Sequence, residues 1–279
     1  MNIVLDEMQK PKSEGGLRTK GYSQKSYKNK PLISIITVVF NCEQHLEETI
    51  QSVISQTYDN VEYIIIDGGS TDGTLEIIKQ YEDKIDYWVS EKDNGISDAF
   101  NKGIQKASGE IIGIINSDDW YEVDALSYVA KVFLTHPDYE VLCGSMKLYT
   151  GNVWRILHSK PYLLWSGMTV VHPSTFVKAE AYRSFGLFDT TLKYAMDYDL
   201  LLRFHTSSVK FFECDHHIFS NMRSGGIANT HRIEAYNEVI TIAKRYNFYA
   251  VVYIMYSIRK LFWNAKNIFK SYQFYIESK

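Results

Sequence analysis

The amino-acid sequence predicts an α/β fold, with a mostly parallel sheet and helices on both of its faces. One observation is that short runs of β-branched residues alternate with stretches whose apolar residues recur at helical spacing. A second is that the connections between these runs are short, which favours right-handed crossovers and therefore parallel strands. The 279 residues, 45% of them hydrophobic, suffice for one large domain with an appended segment.

Four buried strands are predicted in the first half of the chain. Runs rich in Val, Ile and aromatic residues place them at residues 32–40, 61–66, 85–89 and 110–115. The ends of the helices between these strands are predicted from residues that typically cap helices. Asn41, with Gln44 three residues later, has the pattern of a capping box before the first helix. Ser97 stands where a cap of the third helix would be, and Gly109 stands where a glycine would end it.

Both ends of the chain depart from this alternation. Residues 1–30 are polar, rich in Lys and Ser and without periodicity, which predicts a flexible polar tail. Residues 231–279 predict a C-terminal amphipathic helical segment, because apolar residues within 248–270 recur at helical spacing among basic ones. Such a helix suits peripheral contact with an anionic membrane surface. Docking on the large domain, or a homodimer contact, would bury the same apolar face.

The net charge of −3 hides a segregation along the chain. Residues 1–30 carry a net charge of +4 and residues 231–279 carry +5, so residues 31–230 carry −12. An acidic centre is a poor partner for nucleic acid, and it suits a protein that recruits a cation. Three cysteines without CxxC spacing predict free thiols in a reducing compartment. We find neither a secretory signal nor an apolar run long enough for a bilayer. We therefore expect a cytoplasmic protein, peripheral on the inner face of the plasma membrane if its C-terminal helix binds lipid.

Polar clusters stand where each predicted strand ends. The clusters begin at Phe40, Asp67, Glu91 and Asn116. The carboxyl ends of parallel strands share one edge of a doubly wound sheet, and ligands bind at that edge. The last cluster ends in two adjacent acids, Asp118 and Asp119, whose side chains point opposite ways on an extended backbone. We expect one of them to meet a divalent cation and the other a sugar or ribose hydroxyl.

The glycine-rich phosphate loops of other nucleotide-binding folds are absent from the sequence. Neither GxGxxG nor GxxxxGK[ST] follows the first predicted strand. A diphosphate at this edge would therefore need another source of positive charge. Mg²⁺ or Mn²⁺ held by carboxylates is the obvious one, because hard cations take oxygen ligands and share them with phosphate and water.

An ordered set of motifs resembles family 2 glycosyltransferases. The motifs are FN at 40–41, QTY at 56–58, DGGSTDGT at 67–74, DNGISDAFNKG at 93–103, NSDD at 116–119, HPSTF at 172–176 and DYDLLLR at 197–203. The resemblance runs from about residue 32 to 230 and is strongest for bacterial surface-polysaccharide enzymes. It implies a Rossmann-like GT-A catalytic domain over residues 31–230, a nucleotide-sugar donor, a divalent metal and inversion at the anomeric carbon.

The resemblance also implies which residues bind the donor. Phe40 would lie against the nucleobase of a donor such as a UDP-sugar, and Asp67 would contact its uracil or ribose. Asp93 and Asn94 would line the uridine end. Many relatives have a second acid after Asp67, where this chain has Gly68, and that departure weakens the expected contact with the base.

The metal is expected at the acid pair. By resemblance Asp119 would be the main metal ligand, and Asp118, the second candidate metal ligand, would approach the donor sugar or ribose beside it. Relatives often have aspartate two positions before Asp118, where this chain has Asn116. We therefore expect fewer carboxylate ligands and a weaker affinity for Mn²⁺ or Mg²⁺.

Asp197 resembles the general base of the family. Inverting transfer needs a base that takes the proton of the acceptor hydroxyl as its oxygen attacks. Asp199, on the same turn of a predicted helix, is the competing candidate. Many relatives have Glu where this chain has Met196. His172, before a proline, is expected on the acceptor side.

A loop near the end of the large domain is expected to close on the donor. Arg223 and Ser224, followed by two glycines, resemble a mobile segment that contacts donor phosphates in relatives, and arginine geometry suits a pyrophosphate. His216 and His217 are adjacent on a predicted strand, so their rings point apart and a shared metal site is not expected.

Taken together, the sequence predicts an inverting, metal-dependent glycosyltransferase of bacterial surface-polysaccharide synthesis. Its acceptor would be a hydroxyl of a saccharide or of a lipid-linked saccharide. The alternative is a non-catalytic nucleotide-sugar-binding module of a glycosylation complex. A nucleotidyltransferase is disfavoured, because no glycine- and lysine-rich loop follows the first strand.

Overall fold

The computed structural model describes residues 13–225 and 230–258. These residues form one ten-stranded sheet with helices packed on both faces. Six of the strands run in the same direction, and the others are antiparallel to their neighbours. The predicted α/β class and mostly parallel sheet are thereby confirmed.

The strands are β1 (Ser13–Gly15), β2 (Ile33–Val39), β3 (Val61–Asp67), β4 (Tyr87–Ser90), β5 (Ile111–Asn116), β6 (Trp120–Tyr121), β7 (Val141–Thr150), β8 (Val153–His158), β9 (Thr175–Lys178) and β10 (Phe211–Arg223). The α-helices are α1 (Leu46–Ile54), α2 (Thr74–Gln80), α3 (Ile96–Lys106), α4 (Ala125–Thr135), α5 (Ala179–Phe185), α6 (Met196–Thr206) and α7 (Arg232–Arg245). Short 3₁₀ helices span Leu17–Lys20, Pro161–Ser166 and His172–Ser174.

The order of the strands decides which loops meet. Across the sheet it is β1–β4–β3–β2–β5–β9–β7–β10–β6, with β8 paired to β7. The parallel strands β4, β3, β2 and β5 end at one edge, while β9 runs antiparallel between β5 and β7. β10 runs parallel to β7 and ends on the same side. The loops after β2, β3, β4 and β5 are therefore neighbours at that edge.

Alternation along the strands builds two cores. On β2, Ile36 and Val38 face a cluster formed with α3, α5, α6 and α7, whereas Ile33 and Ile35 face a cluster formed with α1, α2 and α4. Adjacent strand residues point to opposite faces, so one apolar run serves both layers. This explains why the strands read as continuous apolar runs.

Residues 13–20, inside the flexible tail predicted for residues 1–30, pack against the edge of the sheet. β1 pairs antiparallel with the edge strand β4, whose outer backbone groups would otherwise lack partners. The glycines that suggested flexibility permit this close docking: a Cβ on Gly15 would lie 2.7 Å from the Trp88 ring, and Gly16 has a φ of 101°. The side chain of Asn60 also donates to the carbonyls of Lys25 and Lys30, at 3.1 and 2.8 Å. Residues 1–12 lie outside the described residues.

Two predicted helix ends are wrong. α1 begins at Leu46, not after Asn41. Asn41 instead has a φ of 50°, and its Oδ1 accepts a hydrogen bond from the backbone N–H of Thr71 at 2.8 Å. Ser97 lies inside α3, and its Oγ donates to the carbonyl of Leu192. These polar side chains bind another loop or segment, which local sequence patterns do not reveal.

The C-terminal helical segment packs on the large domain. α7 contacts α6, and Val239, Ile242 and the later Val252 belong to the same core. Residues 249–258 are helical, and several apolar side chains on this helix are exposed, among them Ile254. The rest of the predicted stretch, 259–270, lies outside the described residues. Among the described helices, none is long and apolar enough to cross a membrane.

Candidate active site

The strand ends predicted to meet lie level with one another. In the parallel ladders, Asp67 stands opposite Val39 of β2 and Ser90 of β4, and Asn116 of β5 stands opposite Val38. The polar clusters that follow these strands therefore emerge at the same height, along one edge of the sheet. This is the edge at which open α/β sheets bind ligands.

Phe40, Gly68 and Asp93 form one end of this edge. Phe40 is 62% exposed although it follows a buried strand, and a large exposed aromatic ring at a strand end is suited to stacking. A Cβ on Gly68 would lie 2.5 Å from Asp93 Oδ2 and 3.4 Å from Phe40 Cδ2. The glycine that stands where many relatives have an acid thus makes room for Asp93. Asn94 is exposed beside it.

Asp67 organises the turn at this end. Its side chain is fully buried. Its carboxylate accepts hydrogen bonds from the backbone N–H and hydroxyl of Ser70 and, at 2.6 Å, from the hydroxyl of Ser90. Through these bonds Asp67 joins the turn after β3 to the end of β4. Its direct contact with uracil or ribose stays a prediction.

The acid pair lies after β5, and its two members differ in exposure. Asp118 is partly exposed, whereas Asp119 is 1% exposed. Asp119 Oδ1 accepts a hydrogen bond from the backbone N–H of Arg223 at 3.3 Å. Burial, together with the negative charge of Asp118, raises the pKa of Asp119 well above its ordinary value, and Arg223 and Asn116 only partly offset this.

Two buried oxygens at this site lack a hydrogen-bond partner among the described residues. Within the described residues, Asp119 Oδ2 and Asn116 Oδ1 are buried without a hydrogen bond. Buried polar atoms are normally paired, and oxygens of carboxylate and amide are ligands for Mg²⁺ and Mn²⁺. Among residues 13–225 and 230–258, no three His, Cys, Asp or Glu side chains form a preformed cage. The two unpaired oxygens fit a cation whose other ligands are phosphate and water.

Arg223 covers the acid pair from β10. Its guanidinium donates to the carbonyl of Asp118 and pairs with Glu48 of α1, and it lies 4.4 Å from the centroid of the Trp120 ring. Ser224 follows, with its backbone N–H bonded to the Tyr149 carbonyl at 2.8 Å. Both residues predicted to contact donor phosphates therefore lie beside the candidate metal site. Residues 226–229, including the second glycine of the predicted loop, lie outside the described residues.

Asp197 and His172 form a second group. Asp197 lies in the first turn of α6, and its carboxylate accepts a hydrogen bond from the N–H of Tyr198 at 2.8 Å. Burial raises the pKa of Asp197, the neighbouring His172 lowers it, and the charge of Glu238 raises it further. Burial in turn lowers the pKa of His172, while Asp197 raises it. The two residues predicted for the base and the acceptor side are thus close enough to influence each other.

A sequence model of the family described as "Glycosyl transferase family 2" matches residues 34–200, more than half of the chain. The chain belongs to this family. It is 32% identical over 222 residues to an uncharacterized glycosyltransferase of Rickettsia typhi, covering 72% of this chain and 67% of that one. It is 40% identical over 101 residues to a putative teichuronic acid biosynthesis glycosyltransferase, TuaG, of Bacillus subtilis, covering 35% of this chain and 40% of TuaG.

Solved glycosyltransferase structures share the GT-A fold with this family 2 chain. One is S. aureus TarS 1–349 in complex with UDP-GlcNAc, with a TM-score of 0.61 at 17% identity, covering 76% of this chain and 66% of that one. Another is the mannosyltransferase PcManGT from Pyrobaculum calidifontis in complex with GDP-Man and Mn²⁺, with a TM-score of 0.61 at 17% identity, covering 85% and 73%. The match spans only 39% of a longer TarS structure.

Asp199 is not available as the base of this family 2 protein. It is 2% exposed and pairs with Arg203 at 2.9 Å and Arg245 at 3.4 Å. This leaves Asp197 as the candidate on that turn. The histidine rings do not point apart as predicted, because both contact Tyr128: the His217 ring stacks on it with 4.2 Å between ring centroids, and His216 bonds to its hydroxyl. The two histidines lie where the pairing of β10 with β7 is irregular.

Several residues of this site were not predicted from sequence. Trp120 directly follows the acid pair, and that position could have identified it as a residue of the site. Tyr149 joins Trp120, Arg223 and Ser224 only through the pairing of distant strands. Glu48 and Glu238 lie on helices where a charged residue normally faces solvent, so no local signal marks them.

Proposed function

We propose that this family 2 member is a metal-dependent inverting glycosyltransferase. It would move a sugar from a UDP-sugar to a hydroxyl of a saccharide or lipid-linked saccharide during bacterial surface-polysaccharide synthesis. The observation that carries the proposal is a pair of buried oxygens, one on Asp119 and one on Asn116, that have no hydrogen-bond partner among residues 13–225 and 230–258 and lie at the same edge as Phe40 and Asp93. The names of TuaG and of the TarS complex support the polymer and the nucleotide.

The donor would lie along the sheet edge from β4 to β5. The uracil ring would stack on exposed Phe40, in the space that Gly68 leaves beside Asp93, with Asn94 at its rim. The diphosphate would then reach the end of β5, where Asp118 would accept a hydrogen bond from a sugar or ribose hydroxyl. Arg223 would contact the phosphates after exchanging its ion pair with Glu48 for them.

Asp119 and Asn116 would hold Mn²⁺ or Mg²⁺, with Asp118 beside them. Bound there, the cation would neutralise charge that develops on the departing diphosphate. The cation would also remove the cost of burying Asp119 Oδ2 with no hydrogen-bond partner among the described residues. The side-chain oxygen of Asn116 would thus supply one metal ligand at the position where many relatives have a carboxylate.

Asp197 would act as the general base. Its carboxylate would take the proton from the acceptor hydroxyl while that oxygen attacks the anomeric carbon and the bond to the nucleoside diphosphate breaks. A raised pKa makes the carboxylate a stronger base, provided that it stays ionised at the working pH. The positive charge of protonated His172 favours that ionised form.

The test compares wild-type protein with the Asp197→Asn variant on a panel of UDP-sugars with Mn²⁺ and with mono- and disaccharide methyl glycosides as acceptors, with release of UDP measured by a coupled assay. We expect turnover in the wild type, and in the variant a loss of at least about a hundredfold, the usual range for a general base. UDP affinity in calorimetry should be unchanged. Near-normal turnover by the variant would remove Asp197 from this role. Wild-type binding of UDP without turnover on any sugar would favour the non-catalytic module.

The C-terminal helix supports a peripheral location for this enzyme. Val251, Ile254 and Ile258 are exposed on residues 249–258, and we propose that they contact an anionic membrane surface. Sedimentation with vesicles containing phosphatidylglycerol should carry the wild type down and leave an Ile254→Ser variant in solution. Concentration-dependent dimerisation that this variant abolishes, without sedimentation of the wild type, would assign the face to a homodimer instead.

A further inference from the structure

An aromatic pocket opens beside the acid pair, away from the proposed nucleobase end. It has a volume of about 340 Å³ and is lined by Trp120, Tyr149, Gly151, Arg223 and Ser224. That volume falls at the lower end of the range for small-molecule sites, which combine aromatic walls with a few polar groups. The pocket lies at β6, β10 and β7, whereas Phe40 and Asp93 follow β2 and β4 on the other side of β5.

Cross-strand pairing sets the aromatic rings side by side. Tyr149 of β7 stands opposite Arg223 of β10 and opposite Trp154 of β8, so the three side chains share one face of the sheet. Trp120 and Tyr149 have ring centroids 5.2 Å apart with planes tilted by 40°. Trp154 is 50% exposed and extends this wall towards solvent. We call Trp120, Tyr149 and Trp154 the aromatic wall.

Two cationic side chains near the aromatic wall form ion pairs with glutamates. Arg223 pairs with Glu48, and Lys147, which lies 5.6 Å from the Trp154 ring centroid, pairs with Glu122 at 2.7 Å. Lys147 is committed to Glu122, and Arg223 to Glu48 or to the donor phosphates, so neither is left to attract a second phosphate or a second nucleotide to the wall. The aromatic wall favours an uncharged ligand that has apolar faces and hydroxyl groups.

We propose that the aromatic wall is an acceptor subsite that binds pyranose rings. The C–H face of one sugar would stack on Trp120 and Tyr149, with its hydroxyls towards Ser224, and the following sugar of the chain would lie on exposed Trp154. The acceptor recognised there is therefore a saccharide of at least two units. This inference rests on the proposed function, since it assumes transfer at the acid pair.

The order of groups along the sheet edge favours the acceptor, rather than the donor, as the ligand of the aromatic wall. The nucleobase end, the acid pair and the aromatic wall follow one another across the sheet, from β4 and β2 through β5 to β10 and β7. The wall continues to solvent at Trp154 and Gly151. A growing chain can leave by that route, whereas a donor sugar needs no exit.

The test uses the full chain with UDP and Mn²⁺ and measures saturation-transfer NMR with methyl glycosides of hexoses, N-acetylhexosamines and their disaccharides. We expect ring protons of at least one disaccharide to be saturated. Tyr149→Ala and Trp154→Ala should each weaken that binding about tenfold, near the upper end of what aromatic contacts contribute. Val153→Ala is the matched control, because Val153 is 72% exposed on the same strand but points to the other face.

The outcomes separate this inference from the proposed function. Calorimetric affinity for UDP, unchanged in Trp154→Ala, reports that this variant is folded and that its donor side is intact, and thermal denaturation reports whether Tyr149→Ala is folded. Binding of no glycoside by the wild type would overturn the inference. So would equal binding by Trp154→Ala, Tyr149→Ala and the Val153→Ala control. Absence of UDP binding in the wild type would instead refute the proposed function.

Discussion

Glu238 of α7 holds the backbone that leads into α6, and its replacement tests how Asp197 is positioned. The Glu238 carboxylate accepts hydrogen bonds from the backbone N–H groups of Lys193, Tyr194 and Ala195, at 2.9, 2.8 and 2.9 Å. N–H groups at the start of a helix lack partners within it, and a negative charge there is favourable. Asp197 follows two residues later, so the same carboxylate fixes the turn that carries the proposed base.

The energetic cost of losing this carboxylate follows from its contacts. A hydrogen bond to a charged group contributes about 1.5–3 kcal/mol, but these three share one partly exposed carboxylate and water replaces part of them. We expect Glu238→Ala to cost about 2 kcal/mol in the free energy of unfolding and to lower the Tm by about 4–8 °C. Glu238→Gln keeps one acceptor oxygen and should cost about 1 kcal/mol.

The same replacement should change the pH dependence of transfer. A general base works only when ionised, so the rate falls as the pH drops through the pKa of Asp197. Burial raises that pKa, and the charge of Glu238 raises it further, while His172 lowers it. Removing the Glu238 charge therefore lowers the pKa of Asp197. In Glu238→Gln the acid limb of the rate profile should move to lower pH.

The assay combines thermal denaturation with pH–rate profiles of UDP release for the wild type, Glu238→Gln and Glu234→Gln. Glu234 is exposed on the first turn of the same helix and serves as the control. A purely structural role for Glu238 would lower the rate equally at every pH. An acid limb that stays in place, or that moves to higher pH, would refute the electrostatic argument.

Three further outcomes follow from the site and the N-terminal segment. Asp119→Asn should abolish Mn²⁺-dependent UDP binding yet stabilise the ligand-free protein by about 1–3 kcal/mol at neutral pH in chemical denaturation, because a buried negative charge is replaced by an uncharged amide. The raised pKa of Asp119 means that the wild type loses stability as the pH rises through it, so this gain should vanish below about pH 3.9. Gly68→Ala should weaken UDP binding about tenfold in calorimetry, about 1.4 kcal/mol, since its Cβ would lie 2.5 Å from Asp93; unchanged affinity would place the nucleobase elsewhere. Gly16→Ala should lower stability by about 1–2 kcal/mol, because its φ is 101° and its Cβ would meet the Asp86 carbonyl at 2.8 Å; a variant as stable as the wild type would show that residues 13–20 do not stay docked.

Much of the fold and the location of the site could be predicted from local patterns. The runs that became β2, β3, β4 and β5 were recognisable because strands covered on both faces are apolar throughout. Parallel strands end at one edge, so the clusters at Phe40, Asp67, Asp93 and Asn116 could be placed together. The ends of helices were harder to predict, since Asn41 and Ser97 bind other segments rather than their own helices.

The sequence by itself determined the α/β class, the family and the set of polar strand ends, because periodicity and residue order act over short distances. The tertiary structure alone decided which of those groups are buried, paired or free. In the folded protein, residues 13–20 pack on β4, and Asp67 and Asp199 bond to other side chains. Within the described residues, Asn116 and Asp119 each have one buried oxygen without a hydrogen bond. The fold also places the Tyr149 ring against Trp120 and bonds Glu238 to the backbone just before α6. Those contacts join residues far apart in the chain, so their energies depend on packing that no local pattern encodes.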